Sequence, residues 1–185
     1  MGIPTLIKTL PASDSATLSF VDGAASVTLD STYDEYMFVF TDIGPATDNA
    51  NFTFQVNATD DAGGGYDTSL ITSTAFATEH SEADSAELVY NASRDQAQAA
   101  GFQIIAFGIG NGGDESSAGI LHLFSPASTT YVKHFYSQMQ TYYYADRSAS
   151  EFYAGYINDT TAIDEIQFKM SSGNFDGVIQ LYGIS

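Results

Sequence analysis

Carboxylates beside glycines are the first residues of this sequence that could carry chemistry. Asp60 and Asp61 precede a run of three glycines, and Asp67 follows it. Calcium takes about six to eight oxygen ligands, which aspartates on a preorganised loop can supply. The spacing is not that of an EF-hand, and the alternative is a solvated acidic turn. The sequence predicts no metal and no cofactor, and Asp60, Asp61 and Asp67 are the candidates should a divalent cation be bound.

The segment GIGNGG, residues 108–113, matches the glycine spacing of a dinucleotide-binding loop. Such a loop needs a helix directly after the glycines, because the helix N-terminus binds the pyrophosphate. Here residues 114–119 lead into ILHLF, which has the composition of another strand. No acidic residue stands about 20 positions further on, where a ribose partner is expected. We therefore interpret the segment as a wide connection between two strands.

Histidines and glutamates offer two routes to hydrolysis. His80 lies among carboxylates, His122 and His134 lie in strand-like runs, and the nucleophile pattern G-x-S-x-G does not occur. Paired carboxylates hydrolyse glycosidic bonds in many enzymes. The acids considered for that role are Glu35, Glu151 and Glu165. Acids on the strands of an acidic protein usually form the solvent-facing half of an alternation, so the sequence favours a protein that is not an enzyme, and a polysaccharide hydrolase is the third hypothesis.

Tyrosine is concentrated in one part of the chain. Residues 131–156 hold nine of the 25 aromatic side chains, 12 Tyr and 13 Phe in all. Tyrosine suits interfaces because it buries a large area at little cost in rotamer entropy and keeps a polar tip. Core filling, a subunit interface and a sugar-stacking platform are all open, with core plus interface favoured. The interface or glycan candidates are Tyr131, Tyr136, Tyr142, Tyr144, Tyr153 and Tyr156.

Short alternating runs predict the elements that position these side chains. In residues 33–43, for example, Tyr36, Phe38 and Phe40 share one face of a strand. Clusters of Gly, Asn, Asp, Ser and Pro separate such runs along the whole chain, a pattern typical of a β-sandwich or barrel. The prediction is an all-β fold, a single-domain antiparallel β-sandwich over residues 1–185, of the jelly-roll type.

Two local features refine this prediction. The segment SRDQAQAAG has good helix formers, so at most one short helix is expected, near residues 93–100. Gly173-Asn174 and Asp176-Gly177 supply the residues of a tight turn. They are expected to close a hairpin between residues 163–170 and the last strand.

Composition limits the class of protein. The chain has 185 residues, 44% of them hydrophobic, which is enough for one buried core. Five Lys plus Arg against 23 Asp plus Glu give a formal net charge of −18. Nucleic-acid binding needs clustered cations, and anionic membranes attract them, so neither partner is expected. No cysteine, signal-peptide pattern or membrane span is present in the sequence, which predicts assembly in a cytoplasm.

Four segments resemble small virion proteins of marine tailed bacteriophages. The segments are IPTLIKTLPASDSATLSFVDG, LDSTYDEYMFVFTDIGPAT, AGILHLFSPASTTYVKHFYS and SSGNFDGVIQLYGIS. The most recognisable part is Ser-Gly-Asn followed by a glycine-bounded strand that ends in Leu181-Tyr182-Gly183-Ile184. The resemblance implies a jelly-roll-like sandwich on the virion exterior and no catalytic residues.

The leading hypothesis is a non-enzymatic phage structural protein that decorates or cements the capsid. It is expected to assemble in the host cytoplasm, to lie on the virion surface as a homo-oligomer, with a trimer favoured, and to contact the major capsid protein or other virion proteins. Apolar Ile3, Leu6 and Ile7 are candidates for anchoring it. The alternative is a tail-fibre or receptor-binding module that contacts host surface glycans through the tyrosine-rich strands.

Overall fold

The computed structural model describes residues 2–60, 66 and 69–185, so the candidate ligands Asp61 and Asp67 lie outside the described residues. The described part contains thirteen strands and no helix. The strands are β1 (Thr5–Ser15), β2 (Leu18–Val21), β3 (Glu35–Pro45), β4 (Ala50–Ala58), β5 (Ile71–Ser81), β6 (Ala86–Tyr90), β7 (Ala97–Ala99), β8 (Gln103–Ile109), β9 (Ser117–Phe124), β10 (Lys133–Tyr143), β11 (Arg147–Ile157), β12 (Ile163–Met170) and β13 (Phe175–Ile184).

The strands form one antiparallel sheet that folds back on itself. Its order is β1-β13-β3-β9-β10-β8-β4-β12-β2, and β10 also pairs with β11, which continues through β5 to β6 and β7. The bend lies where β10 meets β8, because only Tyr143 and Ile109 are in register there. The two ends of the order, β1 and β2, also approach each other. The result is a nearly closed, barrel-like and jelly-roll-like sandwich, which confirms the predicted all-β class.

Phenylalanine fills the space between the two layers. The ring centroid of Phe168 on β12 lies 5.3 Å from that of Phe38 and 5.2 Å from that of Phe40, both on β3 in the other layer. Phe52 on the neighbouring β4 stacks on Phe168 at 5.8 Å. Tyr36, Phe38 and Phe40 are all buried, so the face predicted from their alternation is confirmed.

The short helix considered near residues 93–100 is not formed. Residues 92–95 form a turn, and β7 follows and pairs with β5. The Gln96 backbone exchanges two hydrogen bonds with Ser73 of β5, and the Arg94 side chain reaches into the interior. Tertiary contacts thus override the helix propensity of a segment too short to be stable alone. In the part of the chain described, no helix is long and apolar enough to span a membrane.

The closing hairpin predicted between residues 163–170 and the last strand is not formed. β12 pairs with β4 and β2, whereas β13 pairs with β1 and β3, so the connection crosses from one layer to the other. Gly177 has a φ of +135° at a register shift between Asp176 and Val178. The chain does change direction at these residues, but the partners of the last strand are β1 and β3 and not β12.

Candidate interaction surface

The outer side of the layer that contains β1, β13, β3, β9, β10, β11, β5 and β6 carries two continuous rows of cross-strand partners. The first row is Gln180, Val39, Ile120, Gln138, Phe152, Phe76 and Tyr90. The second row is Leu6, Tyr182, Met37, His122, Tyr136, Ala154 and Thr74. We call these two rows of seven residues the aromatic face. Directly opposed residues of antiparallel strands point to the same side, so the side chains of each row form a continuous strip.

The aromatic face contains no Asp, Glu, Lys or Arg, although the chain carries a formal net charge of −18. Phe76 is 46% exposed and Tyr136 is 42% exposed. Phe76 stacks on Phe152, and Tyr136 stacks on His122 with ring centroids 4.4 Å apart. A largely apolar surface without charged side chains on a globular protein often marks a contact with another molecule.

His122 gives the aromatic face one unusual polar atom. Its Nδ1 is bonded to the carboxylate of Glu35, which lies just beyond the second row. Its Nε2 is buried and has no hydrogen-bond partner among the described residues. Buried polar atoms are normally paired, so this nitrogen is an exception among the polar atoms of the described residues.

The tyrosines singled out from the sequence are distributed over several environments. Tyr136 belongs to the aromatic face, and Tyr156 is half-buried in the adjacent row, opposite His134. Tyr131 is 73% exposed in the connection before β10. Tyr142 and Tyr144 lie near the other end of β10, half-buried and exposed respectively. Tyr153 is buried inside the sandwich and takes no part in the surface.

The three apolar residues near the N-terminus also differ in position. Ile3 is 88% exposed, and Leu6 lies on the aromatic face beside Tyr182. Ile7 packs against the core from the opposite side of β1. Ile3 and Leu6 are thus available for an anchoring contact, whereas Ile7 has a structural role.

The three glutamates considered for hydrolysis lie on three strands and have different partners. Glu35 is bonded to His122, and Glu165 on β12 stands opposite Val21 and Asn57. Glu151 is fully buried on β11. Sequence reasoning could not separate these environments, because each glutamate occupies the same kind of strand position.

Glu151 is the centre of a buried polar cluster. It accepts hydrogen bonds from the Phe107 backbone N–H at 3.0 Å, from the Thr141 hydroxyl at 3.0 Å and from the Tyr153 hydroxyl at 3.1 Å. The Arg94 guanidinium lies 3.4 Å away and also bonds Glu79. Burial raises the pKa of Glu151 to about 7, while these donors act in the opposite direction. The cluster ties the 92–95 turn to the interior of β11.

The GIGNGG segment ends β8 and begins the connection to β9, so it joins two strands as predicted. The Gly112 N–H donates to Glu115 Oε2 at 2.6 Å, and a Cβ on Gly110 would overlap the same carboxylate. Gly110 and Gly112 therefore lie against a carboxylate of the chain itself.

A lysine occupies the neighbourhood of the candidate cation site. Lys133 is fully buried, and its ammonium donates to the carbonyl of Asp159 at 3.1 Å and to that of Thr161. Asp60 accepts a hydrogen bond from the Thr161 hydroxyl, and its charge acts on Lys133. Among the described residues, no group of three or more His, Cys, Asp or Glu is placed to hold a metal ion.

Comparison of the chain with models of known protein families and with curated proteins gives no match.

Proposed function

We propose that this chain is a non-enzymatic structural protein of a tailed-phage virion, a homo-oligomer that decorates or cements the capsid surface. The observation that carries the proposal is the aromatic face: fourteen outward side chains in two rows, with no Asp, Glu, Lys or Arg among them, on a strongly acidic chain. The jelly-roll-like sandwich is the fold that the sequence resemblance implies. In this proposal the chain assembles onto the particle in the host cytoplasm and lies on the surface of the finished virion.

A second copy of the chain is the occupant that fits the aromatic face. A basic partner would be attracted to carboxylates, which lie off this face. Two uncharged faces, in contrast, can meet without burying unpaired charge, whose desolvation would be costly. The carboxylates around the contact repel one another, but at about 0.15 M salt the screening length is roughly 8 Å. Burial of exposed Phe, Tyr and Leu side chains then supplies the favourable free energy, about 1.5–3 kcal/mol for each one fully buried.

The geometry of such a contact bears on the oligomer number. When the same face is used by both subunits, the contact has twofold symmetry. A trimer requires the aromatic face to meet a different surface of the next subunit. The trimer favoured from the sequence stays a prediction, and sedimentation equilibrium on the purified chain gives the number directly.

The acidic remainder of the surface fits an exterior position. Carboxylates keep particles hydrated and mutually repelling, so a virion coated with this protein would stay dispersed. Contact with the capsid would use surfaces outside the oligomer contact, and exposed Ile3 is one available anchor.

The decisive experiment is to locate the chain in assembled particles. Antibody-gold labelling of intact virions, followed by a reconstruction of the particle, is expected to place the protein over the head in regular positions. Labelling confined to the tail tip would contradict the decorating role and favour the receptor-binding alternative. Absence of the chain from purified virions would overturn the structural role altogether.

A further inference from the structure

A polar groove crosses the outer sheet next to the aromatic face. It consists of two clefts, of about 540 Å³ and about 440 Å³, that share His80 and Ser148. Gln140 and Tyr142 line the first cleft, and Thr78 lines the second. The two clefts therefore lie side by side across the strands, with His80 and Ser148 at their common boundary.

The floor of the groove consists of two rows of cross-strand partners. One row is Ala118, Gln140, Ser150, Thr78 and Leu88. The other row is Tyr142, Ser148, His80 and Ala86. The first row crosses four gaps between strands, which makes the groove about 19 Å long at roughly 4.8 Å per gap. A ligand that fills it is therefore extended and made of several units.

The chemistry of the floor is that of uncharged hydrogen-bonding groups beside an aromatic ring. Gln140, Ser148, Ser150 and Thr78 offer amide and hydroxyl groups, which both donate and accept. The Gln140 side chain donates to the Ser148 hydroxyl at 2.9 Å, so these two groups are already oriented. The Tyr142 hydroxyl lies 3.4 Å from a Glu82 carboxylate oxygen and 3.3 Å from one of Asp146, which holds its ring at one end of the groove.

Anionic ligands do not match this groove. Arg147 lines the first cleft, but its guanidinium is bonded to Glu79 at 3.2 Å and to Glu87 at 3.3 Å, and His80 lies 3.4 Å from the Asp84 carboxylate. Glu82 and Asp114 add negative charge to the walls. An acidic ligand would meet this charge and the net charge of the whole chain.

Peptides and apolar molecules fit less well than sugars. A sheet binds an extended peptide by adding it to an edge strand through main-chain hydrogen bonds, whereas this groove lies over the face of the sheet. An apolar ligand would leave the amide and hydroxyl groups of the floor without partners. A sugar chain presents hydroxyls that donate and accept and C–H faces that pack on an aromatic ring, so it satisfies both parts of the floor.

We propose that the groove between Tyr142 and Leu88 binds a neutral, linear oligosaccharide. This binding goes beyond a decorating role, which does not require it, and it does not depend on the chain's place in the virion. On a particle surface it would give each copy a weak attachment point for glycans, and many copies would multiply the affinity.

The experiment uses the full chain and a defined set of probes. Neutral linear hexasaccharides of glucose, mannose, galactose and N-acetylglucosamine are titrated by calorimetry, with hyaluronan fragments of the same length as acidic probes. At least one neutral hexasaccharide is expected to bind, and the acidic fragments are expected to bind more weakly or not at all. Failure of every neutral probe, or stronger binding of the acidic one, would overturn the proposal.

Two glutamine variants on the same strand, one inside the groove and one outside it, test the location of the site. Gln140→Ala, in the groove, is expected to weaken binding by about tenfold, the loss expected from one or two hydrogen bonds. Gln138→Ala, two residues away on the aromatic face, is expected to leave it unchanged. Ser148→Arg blocks the junction of the two clefts and is expected to abolish binding in a chain with an unchanged circular dichroism spectrum. Equal effects of the two glutamine variants would place the sugar elsewhere, whatever the virion experiment shows.

Discussion

Phe76 and Phe152 stack face to face on the outside of the sheet, with ring centroids 4.9 Å apart and ring planes 10° from parallel. They are direct cross-strand partners on β5 and β11. A cross-strand aromatic pair contributes about 0.2–1 kcal/mol to a sheet. Burial of the same rings against another molecule contributes more, so this pair is expected to contribute strongly to a contact.

We expect Phe152→Ser to weaken self-association while the fold is retained. Central aromatic residues of interfaces commonly contribute about 2 kcal/mol or more, which corresponds to a dissociation constant raised about 30-fold or more. Sedimentation velocity over a concentration series measures this constant. Tyr131→Ser removes an exposed tyrosine outside the aromatic face and serves as the control.

The dependence of self-association on salt concentration distinguishes an apolar contact from one held by ion pairs. Because the subunits repel each other through their carboxylates, the association is expected to strengthen as NaCl rises from about 0.05 M to about 0.5 M. Dissociation on adding salt would show that ion pairs hold the subunits together. In the mutational experiment, equal effects of Phe152→Ser and Tyr131→Ser would show that the aromatic face is not part of the contact.

The buried face of a strand could be predicted from the sequence, because it follows from a local alternation with a period of two residues. Tyr36, Phe38 and Phe40 alternate with less buried neighbours, and this pattern alone determines which side enters the core. The pairing of strands is a different matter, since it joins segments far apart in the sequence. The turn residues Gly173-Asn174 have the same chemistry whether the chain returns to its neighbour or crosses to the other layer.

The aromatic face was missed for a related reason. Its members come from strands as distant as β1 and β13, and only the register brings Leu6 beside Tyr182. The density of tyrosine near β10 identified Tyr136 but also included buried Tyr153. Local composition cannot distinguish these two, because they lie on opposite sides of adjacent strands. The buried position of Arg94 could not be predicted either, since a single arginine in a segment of helix-forming residues gives no indication of buried partners.

Glu151 is expected to make stability fall as pH rises from about 4.5 to about 7. Burial raises its pKa in the folded chain from 4.5 to about 7. Between these values the folded state binds more protons than the unfolded state, so the free energy of unfolding decreases with pH and levels off above pH 7. The shift corresponds to a change of about 3 kcal/mol across the window.

Urea unfolding at a series of pH values tests this with two variants. Glu151→Gln removes the titrating group and is expected to flatten the decrease relative to the unmodified chain. Glu87→Gln, whose carboxylate is half exposed and bonded to Arg147, is expected to keep the slope. Parallel curves for Glu151→Gln and the unmodified chain would show that Glu151 does not titrate in this range.

Lys133 is expected to stabilise the fold through the carbonyl groups that it binds. Lys133→Met keeps the buried stem but leaves the carbonyls of Asp159 and Thr161 without their donor, at a cost of about 1–3 kcal/mol. Lys8 donates to the Ala25 carbonyl at 2.9 Å in an exposed position, so Lys8→Met is expected to cost less than about 1 kcal/mol. Urea midpoints of the two variants provide the comparison, and a Lys133→Met chain as stable as Lys8→Met would contradict the assigned role.

Gly119 on β9 is expected not to tolerate a larger side chain. A Cβ at this position would overlap the backbone oxygen of Gln138 and lie 2.6 Å from the Met139 sulfur. Since a strand on each side holds β9 in place, Gly119→Ala is expected to cost about 1–3 kcal/mol. Gly113→Ala adds the same methyl group where nothing lies within 4 Å and is expected to stay within about 0.5 kcal/mol of the unmodified chain.

The same substitution also tests how the aromatic face is built. A methyl group that pushes β9 from β10 would separate His122 from Tyr136, which stack across these two strands. Gly119→Ala is therefore expected to weaken self-association as well as stability, whereas Gly113→Ala changes neither. If Gly119→Ala lowers the thermal midpoint but leaves the dissociation constant unchanged, the contact does not depend on the His122 and Tyr136 pair, and the Phe76 and Phe152 pair alone would carry it.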